Sequence, residues 1–200
     1  MRRALLILLF TACGRSDVYQ APQRAALVPA CVSTRGPSTL PRTSANAANP
    51  IEWPRGACLD VTYGPGIEPF LKDVQAALDQ WTGPDCTWMC FSQPRAESSP
   101  PTGADRRRIH LRLADPGELS KGTVMLSEVT YDPRTGEQYS GQVILDPASL
   151  PTLSNWLGQL GQVLPFDRTD QDSVLNPALK RSTLSSIDQQ SVCAVYPACP

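Results

Sequence analysis

Histidine occurs once in the 200 residues of this chain, as His110. A catalytic zinc is held by three strong protein donors, most often imidazoles, so counting alone excludes a His-rich metal site of any geometry. The same scarcity leaves a Cys/His or Ser/His catalytic pair with one candidate base. His110 alternates with Arg108 and Arg112 against Ile109, Leu111 and Leu113, which places it on the solvated or second face of a strand rather than in a catalytic pair. No G-x-S-x-G, P-loop or G-x-G-x-x-G stretch occurs, which removes the motif-borne hydrolase and nucleotide-binding readings. An excess of charge is lacking too. The 18 Lys and Arg against 19 Asp and Glu leave a formal −1, which gives no electrostatic footprint for nucleic acid. The basic run Arg106 to Arg108 reads as a solvated cluster beside a strand.

Apolar runs are short. Ala4 to Phe10 spans seven residues, too few to cross a bilayer. With Met1-Arg2-Arg3 before it and Phe10-Thr11-Ala12-Cys13 at its end, the run resembles the signal peptide and lipobox of a bacterial lipoprotein, with residues 1–12 removed and Cys13 lipidated. Gly14, where aspartate would signal otherwise, directs the expectation to the outer membrane of the cell envelope, a periplasmic or secreted protein being the alternative. The membrane is then a partner through the lipid anchor. Residues 13–50, rich in Pro, Ala, Ser and Thr without a period, read as a flexible tether. Residues 51–200 read as one folded domain, and an apolar fraction of 41% suffices for its core.

Seven cysteines are present, and apart from Cys13 there remain Cys31, Cys58, Cys86, Cys90, Cys193 and Cys199. An even number in an exported chain favours disulfides, with fifteen connectivities open. Cys86 and Cys90 have the spacing of a metal knuckle, but no matching Cys/His pair lies nearby.

Along the domain, Leu59 to Tyr63 reads as a strand, and Ile67, Phe70, Leu71, Val74, Leu78 and Trp81 recur at helical spacing until Gly83 and Pro84. Thr87 to Ser92 and Ile109 to Leu113 read as short strands, with an exposed Pro/Ser loop from Gln93 to Ala104 between them. Val129 to Asp146 holds two β-rich runs around Asp132-Pro133-Arg134-Thr135-Gly136, a hairpin signal. A helix follows around Leu153 to Leu164. Near the end, Ser185 and Asp188 form a capping-box-like pair at the start of a last helix.

Gly158 to Pro177, GQLGQVLPFDRTDQDSVLNP, resembles the catalytic helix and Met-turn of a matrixin-type metzincin protease, HExGHxLGxxH followed by S-V-M-x-P. Gly161, Val163, Leu164, Phe166, Asp167, Thr169, Asp172 to Val174, Asn176 and Pro177 fit that frame without a gap. The family's three zinc histidines correspond to Gly158, Gln162 and Arg168, its general-base glutamate to Gln159, and its methionine to Leu175. Glycine offers no donor, a guanidinium repels a metal, and an amide takes no proton from water. Pro165 stands at a family glycine, where a ring locked near φ −65° ends the helix at Leu164.

The resemblance implies an α+β fold, an α/β sandwich of metzincin type: a mixed sheet of about five strands packed with two long helices, plus a C-terminal helix. It also implies that Cys58 and Cys86, flanking elements that lie side by side, form a bridge. An extended peptide is expected along the edge strand at residues 123–131, by β-augmentation that needs no metal or cofactor. The function expected is therefore that of an inactive, metal-free, matrixin-like lipoprotein that binds a protein or peptide or fills a structural role. The alternative is a zinc endopeptidase with non-standard ligands, for which Asp167, Asp170 and Asp172 are the remaining oxygen donors.

Overall fold

The computed structural model describes residues 38–46, 49–55, 58–98 and 107–198. Cys13, Cys31 and Cys199, the signal-peptide segment and most of the expected tether lie outside them.

Among the described residues, seven strands and three α-helices follow in order: β1 (Ser44–Asn46), β2 (Asn49–Pro50), β3 (Asp60–Tyr63), α1 (Leu71–Thr82), β4 (Arg95–Ala96), β5 (Arg108–Leu113), β6 (Met125–Tyr131), β7 (Gln138–Leu145), α2 (Leu153–Val163) and α3 (Ser186–Val195). β1 and β2 form a two-stranded ribbon, and the other five strands form one sheet in the order β4-β3-β5-β7-β6. Within that sheet β4, β3, β5 and β7 run parallel. β6 is antiparallel to β7 and forms the outer edge. The fold is α+β with a mixed five-stranded sheet and three helices, as the sequence order implies.

The helices form where the apolar spacing places a continuous face. In α1, Val74, Ala77, Leu78 and Trp81 are buried, a stripe of i, i+3, i+4 and i+7 that faces the core. Helix α2 begins at Thr152 with a capping box to Asn155, which satisfies two of its orphan donors. Two glycines set how closely α2 is seated. A Cβ on Gly161 would lie 2.8 Å from both Trp81 Cζ2 and Leu175 Cδ2, and one on Gly141 of β7 would lie 2.6 Å from Val163 Cγ1. The Trp81 indole then donates to the Leu157 carbonyl at 3.1 Å. The β6–β7 turn closes with Gly136 N–H on the Asp132 carbonyl at 2.8 Å, with Gly136 at φ +76°, where glycine is unstrained.

Three expectations are corrected. Thr87 to Ser92 is not a strand: Thr87 bridges antiparallel to Pro197 and Phe91 bridges parallel to Leu59, so its two ends serve different partners and no ladder forms. The pairing strand is β4, inside the stretch read as an exposed loop. Residues 38–46 and 49–50, assigned to the tether by composition, pack on the domain. Leu40 is 4% exposed and its N–H donates to Ser191 Oγ of α3, while Thr43 N–H donates to the Pro165 carbonyl.

The third correction concerns the cysteines. Cys58 bonds to Cys90 and Cys86 bonds to Cys193, so the expected Cys58–Cys86 bridge does not exist. The Leu59–Phe91 bridge, with Leu59 N–H on the Cys90 carbonyl, brings Cys58 beside Cys90 at a Cα separation of 4.6 Å. The Thr87–Pro197 bridge likewise holds Cys86 against α3, 5.3 Å from Cys193.

Candidate functional site

The site begins where α2 ends. The helix stops at Val163, and Leu164 N–H still reaches the Leu160 carbonyl at 2.9 Å. Phe166 N–H then returns to the Gly161 carbonyl at 3.1 Å, the six-to-one bond of a Schellman ending. The residue inside that turn is Pro165, which is buried and lacks the N–H that the turn's second bond would use. The sequence expectation that proline closes this helix holds for the place of the ending.

Beyond the helix the chain returns underneath it. Buried Asp188 of α3 accepts from Ser173 Oγ, Val174 N–H, Ser185 N–H and Ser185 Oγ. The capping box at Ser185 is thus shared with the turn that carries Val174 and Leu175. Leu175 is 2% exposed and fills the floor below α2. A Cβ on Gly158 would stand 3.1 Å from the Val174 carbonyl, closer than most side chains tolerate, so glycine lets the turn lie against the helix backbone.

Gly158, Gln159, Gln162, Arg168 and Leu175, picked out singly from the sequence, line one cleft of about 520 Å³ whose far wall is the chain from Gly122 to Met125. A second cleft continues past Gln162 and Arg168 to Ser127 and Val129 of β6. The two openings follow the free edge of the sheet. Ser127 Oγ, with one proton to give, lies within donating distance of Gln159 at both the backbone carbonyl (2.9 Å) and the side-chain Oε1 (2.6 Å), the latter the shorter. The Gln159 amide therefore has its oxygen engaged and its NH2 available.

The donor set does not fit zinc. Glycine, two amides and a guanidinium provide no imidazole, thiolate or carboxylate. Two of the three aspartates of the alternative reading are otherwise engaged: Asp167 accepts from Thr43 Oγ1 at 2.6 Å, and Asp172 pairs with Arg181. Among the described residues no group of three or more His, Cys, Asp or Glu is gathered to hold a metal ion.

His110 lines neither cleft. It is buried in the sheet, 1% exposed, with Nδ1 2.8 Å from Thr62 Oγ1. Burial, against partial compensation by Glu97, holds its pKa below the usual imidazole range. The expectation of a second-face residue holds, and that of a solvated one does not. Lys180, Asn155 and Ser127 were missed from the sequence. Lys180 lies in a loop without period, whereas the Thr152–Asn155 pair carried a capping signal that would have marked the cleft's rim.

These elements define an α+β domain with a mixed sheet and a cleft along its antiparallel edge. No protein-family model and no curated protein matches the chain. Among the described residues, no helix is long and apolar enough to cross a membrane.

Proposed function

We propose that this chain is a catalytically inactive, metal-free domain of matrixin type that binds an extended peptide or protein segment along β6. One observation carries the reading. The four positions that the family pattern assigns to zinc and base chemistry converge on one cleft beside an unpaired strand edge, and all four hold residues unable to do that chemistry. The ordered succession of strand, helix, hairpin, second helix, turn and last helix supports the family reading. An edge strand offers main-chain donors and acceptors, so an added strand gains affinity without a metal.

The lipobox-like Cys13 supplies the second half of the proposal: display on the outer membrane through a lipid anchor. The alternative, a zinc endopeptidase with non-standard ligands, requires a donor set that the cleft residues do not supply.

Two measurements on the purified full chain test the reading. Elemental analysis after dialysis against a weak chelator is expected to give far less than one zinc per chain, and a stoichiometric value overturns the metal-free assignment. Backbone amide exchange of β6 in the presence of an excess of a β-prone peptide is expected to slow at alternate residues. Unchanged exchange along the whole strand rejects strand addition.

A further inference from the structure

The cleft beside β6 is built from donors. Its lining contains two cations, Arg168 and Lys180, and no Asp, Glu or His. Neither cation has an ion-pair partner among the described residues, and both are exposed. This contrasts with the other arginines around the sheet. Arg95 and Arg108 are paired with Asp60 and Glu97, Arg112 with Glu118, and Arg181 with Asp172.

The amides add to the same polarity. Gln159 has its oxygen occupied by Ser127, and Asn155 has its oxygen occupied by Thr152 N–H and Oγ1 at 2.9 Å. What each presents further is its NH2. A chain of formal charge −1 thus places unpaired cations and directed N–H groups in one concavity, an arrangement suited to a carboxylate, which is acceptor-only and takes charge-assisted bonds from guanidinium. Asp167, next to Arg168 in the chain, lines the adjoining cleft and accepts from Thr43 Oγ1.

We infer that this cleft captures an acidic side chain of the peptide segment that pairs with β6, the partner being an extended chain with Glu or Asp at alternate positions. The inference rests on the strand-addition reading and specifies its ligand. Alternate side chains of a paired strand project to the same face, so a chain lying along the edge directs every second residue toward the cleft side. A position that would hold a divalent cation in an active family member holds here a fixed guanidinium. The site's charge preference is inverted, from a cation held by protein donors to an anion held by protein cations.

The test uses the full chain and two fluorescent octapeptides, acetylated and amidated so that no terminal carboxylate remains: alternating Thr-Glu and its Thr-Gln counterpart. Fluorescence anisotropy is expected to show the Glu peptide bound roughly tenfold more tightly at low ionic strength, the scale of two partly exposed ion pairs. That ratio should fall towards one at about 1 M salt, where charges are screened within about 3 Å. The double variant Arg168→Gln, Lys180→Gln should erase the ratio, weakening the Thr-Glu peptide more than the Thr-Gln peptide. Both side chains are exposed, so the thermal midpoint of this variant should match the parent. Equal binding of the two peptides by the parent, or a preference that survives in the double variant, overturns carboxylate capture and leaves strand addition standing. Absence of binding by either peptide overturns both.

Discussion

At Pro165 the chain closes α2 without the N–H that a Schellman ending uses at this place. The turn is held by its surroundings: Phe166 N–H is tied to the Gly161 carbonyl, and Thr43 N–H holds the Pro165 carbonyl at 3.0 Å. Pro165→Gly restores that N–H, worth about 0.5 to 1.5 kcal/mol as a hydrogen bond, and frees the unfolded chain at a cost of about 0.4 to 1 kcal/mol. The two nearly cancel, so stability is expected to change by no more than about 1 kcal/mol in either direction, read from the urea midpoint with unchanged slope. A clearly larger loss would show that the ring itself fixes the ending. At this scale the sequence was most informative about what is missing, because the absence of an imidazole or a carboxylate at a motif position can be read from single letters. It was silent on Lys180 and Ser127, whose roles depend on which distant segment forms the facing wall.

Elements were legible in proportion to their length and to the regularity of their burial. Helix α1 declared itself because Val74, Ala77, Leu78 and Trp81 all face the core, and the β6–β7 hairpin because Asp132 and Gly136 mark its turn. The two-residue β4 carries no period at all, and Thr87 to Ser92 carries β-prone residues that bridge singly, since β-propensity reports a half-buried surface and not a partner. Helix α3 was legible by its cap, but its second task was not: Asp188 also holds Ser173 and Val174 in place under the cleft. Asp188→Ala leaves four buried donors without their acceptor. The expected loss is about 3 to 5 kcal/mol, given about 1.5 to 3 for a bond to a charged group. Asp188→Asn, which keeps the shape and one acceptor oxygen, should lose less. Chemical unfolding followed by tryptophan fluorescence measures both. A loss below about 1 kcal/mol for the alanine variant would mean that contact with α2 alone fixes the turn.

At the scale of the whole molecule, the described sheet and helices carry two cross-links among the described residues, which composition announced and connectivity concealed. An even number of cysteines says that loops are closed, but not which chain ends meet. That depends on the single bridges at Leu59–Phe91 and Thr87–Pro197, which no periodicity reveals. Cys58–Cys90 spans 32 residues and ties the entry of β3 to the segment before β4. Cys86–Cys193 spans 107 residues and ties the exit of α1 to α3. In the chain-entropy model loops of these lengths are worth about 4 and about 5 kcal/mol, comparable with the whole stability of an ordinary domain. Removing the longer link by Cys86→Ser with Cys193→Ser should therefore cost about 1 kcal/mol more than removing the shorter one by Cys58→Ser with Cys90→Ser. The longer link also releases α3, whose Asp188 holds the cleft floor, so its loss should lower both the thermal midpoint and peptide affinity. Loss of the shorter link, whose cysteines line neither cleft, should lower the midpoint alone. Scanning calorimetry and the peptide titration on the same two double variants separate these effects. Equal midpoints with equal affinities would show that α3 keeps its place by packing, with the Cys86–Cys193 bond redundant to it.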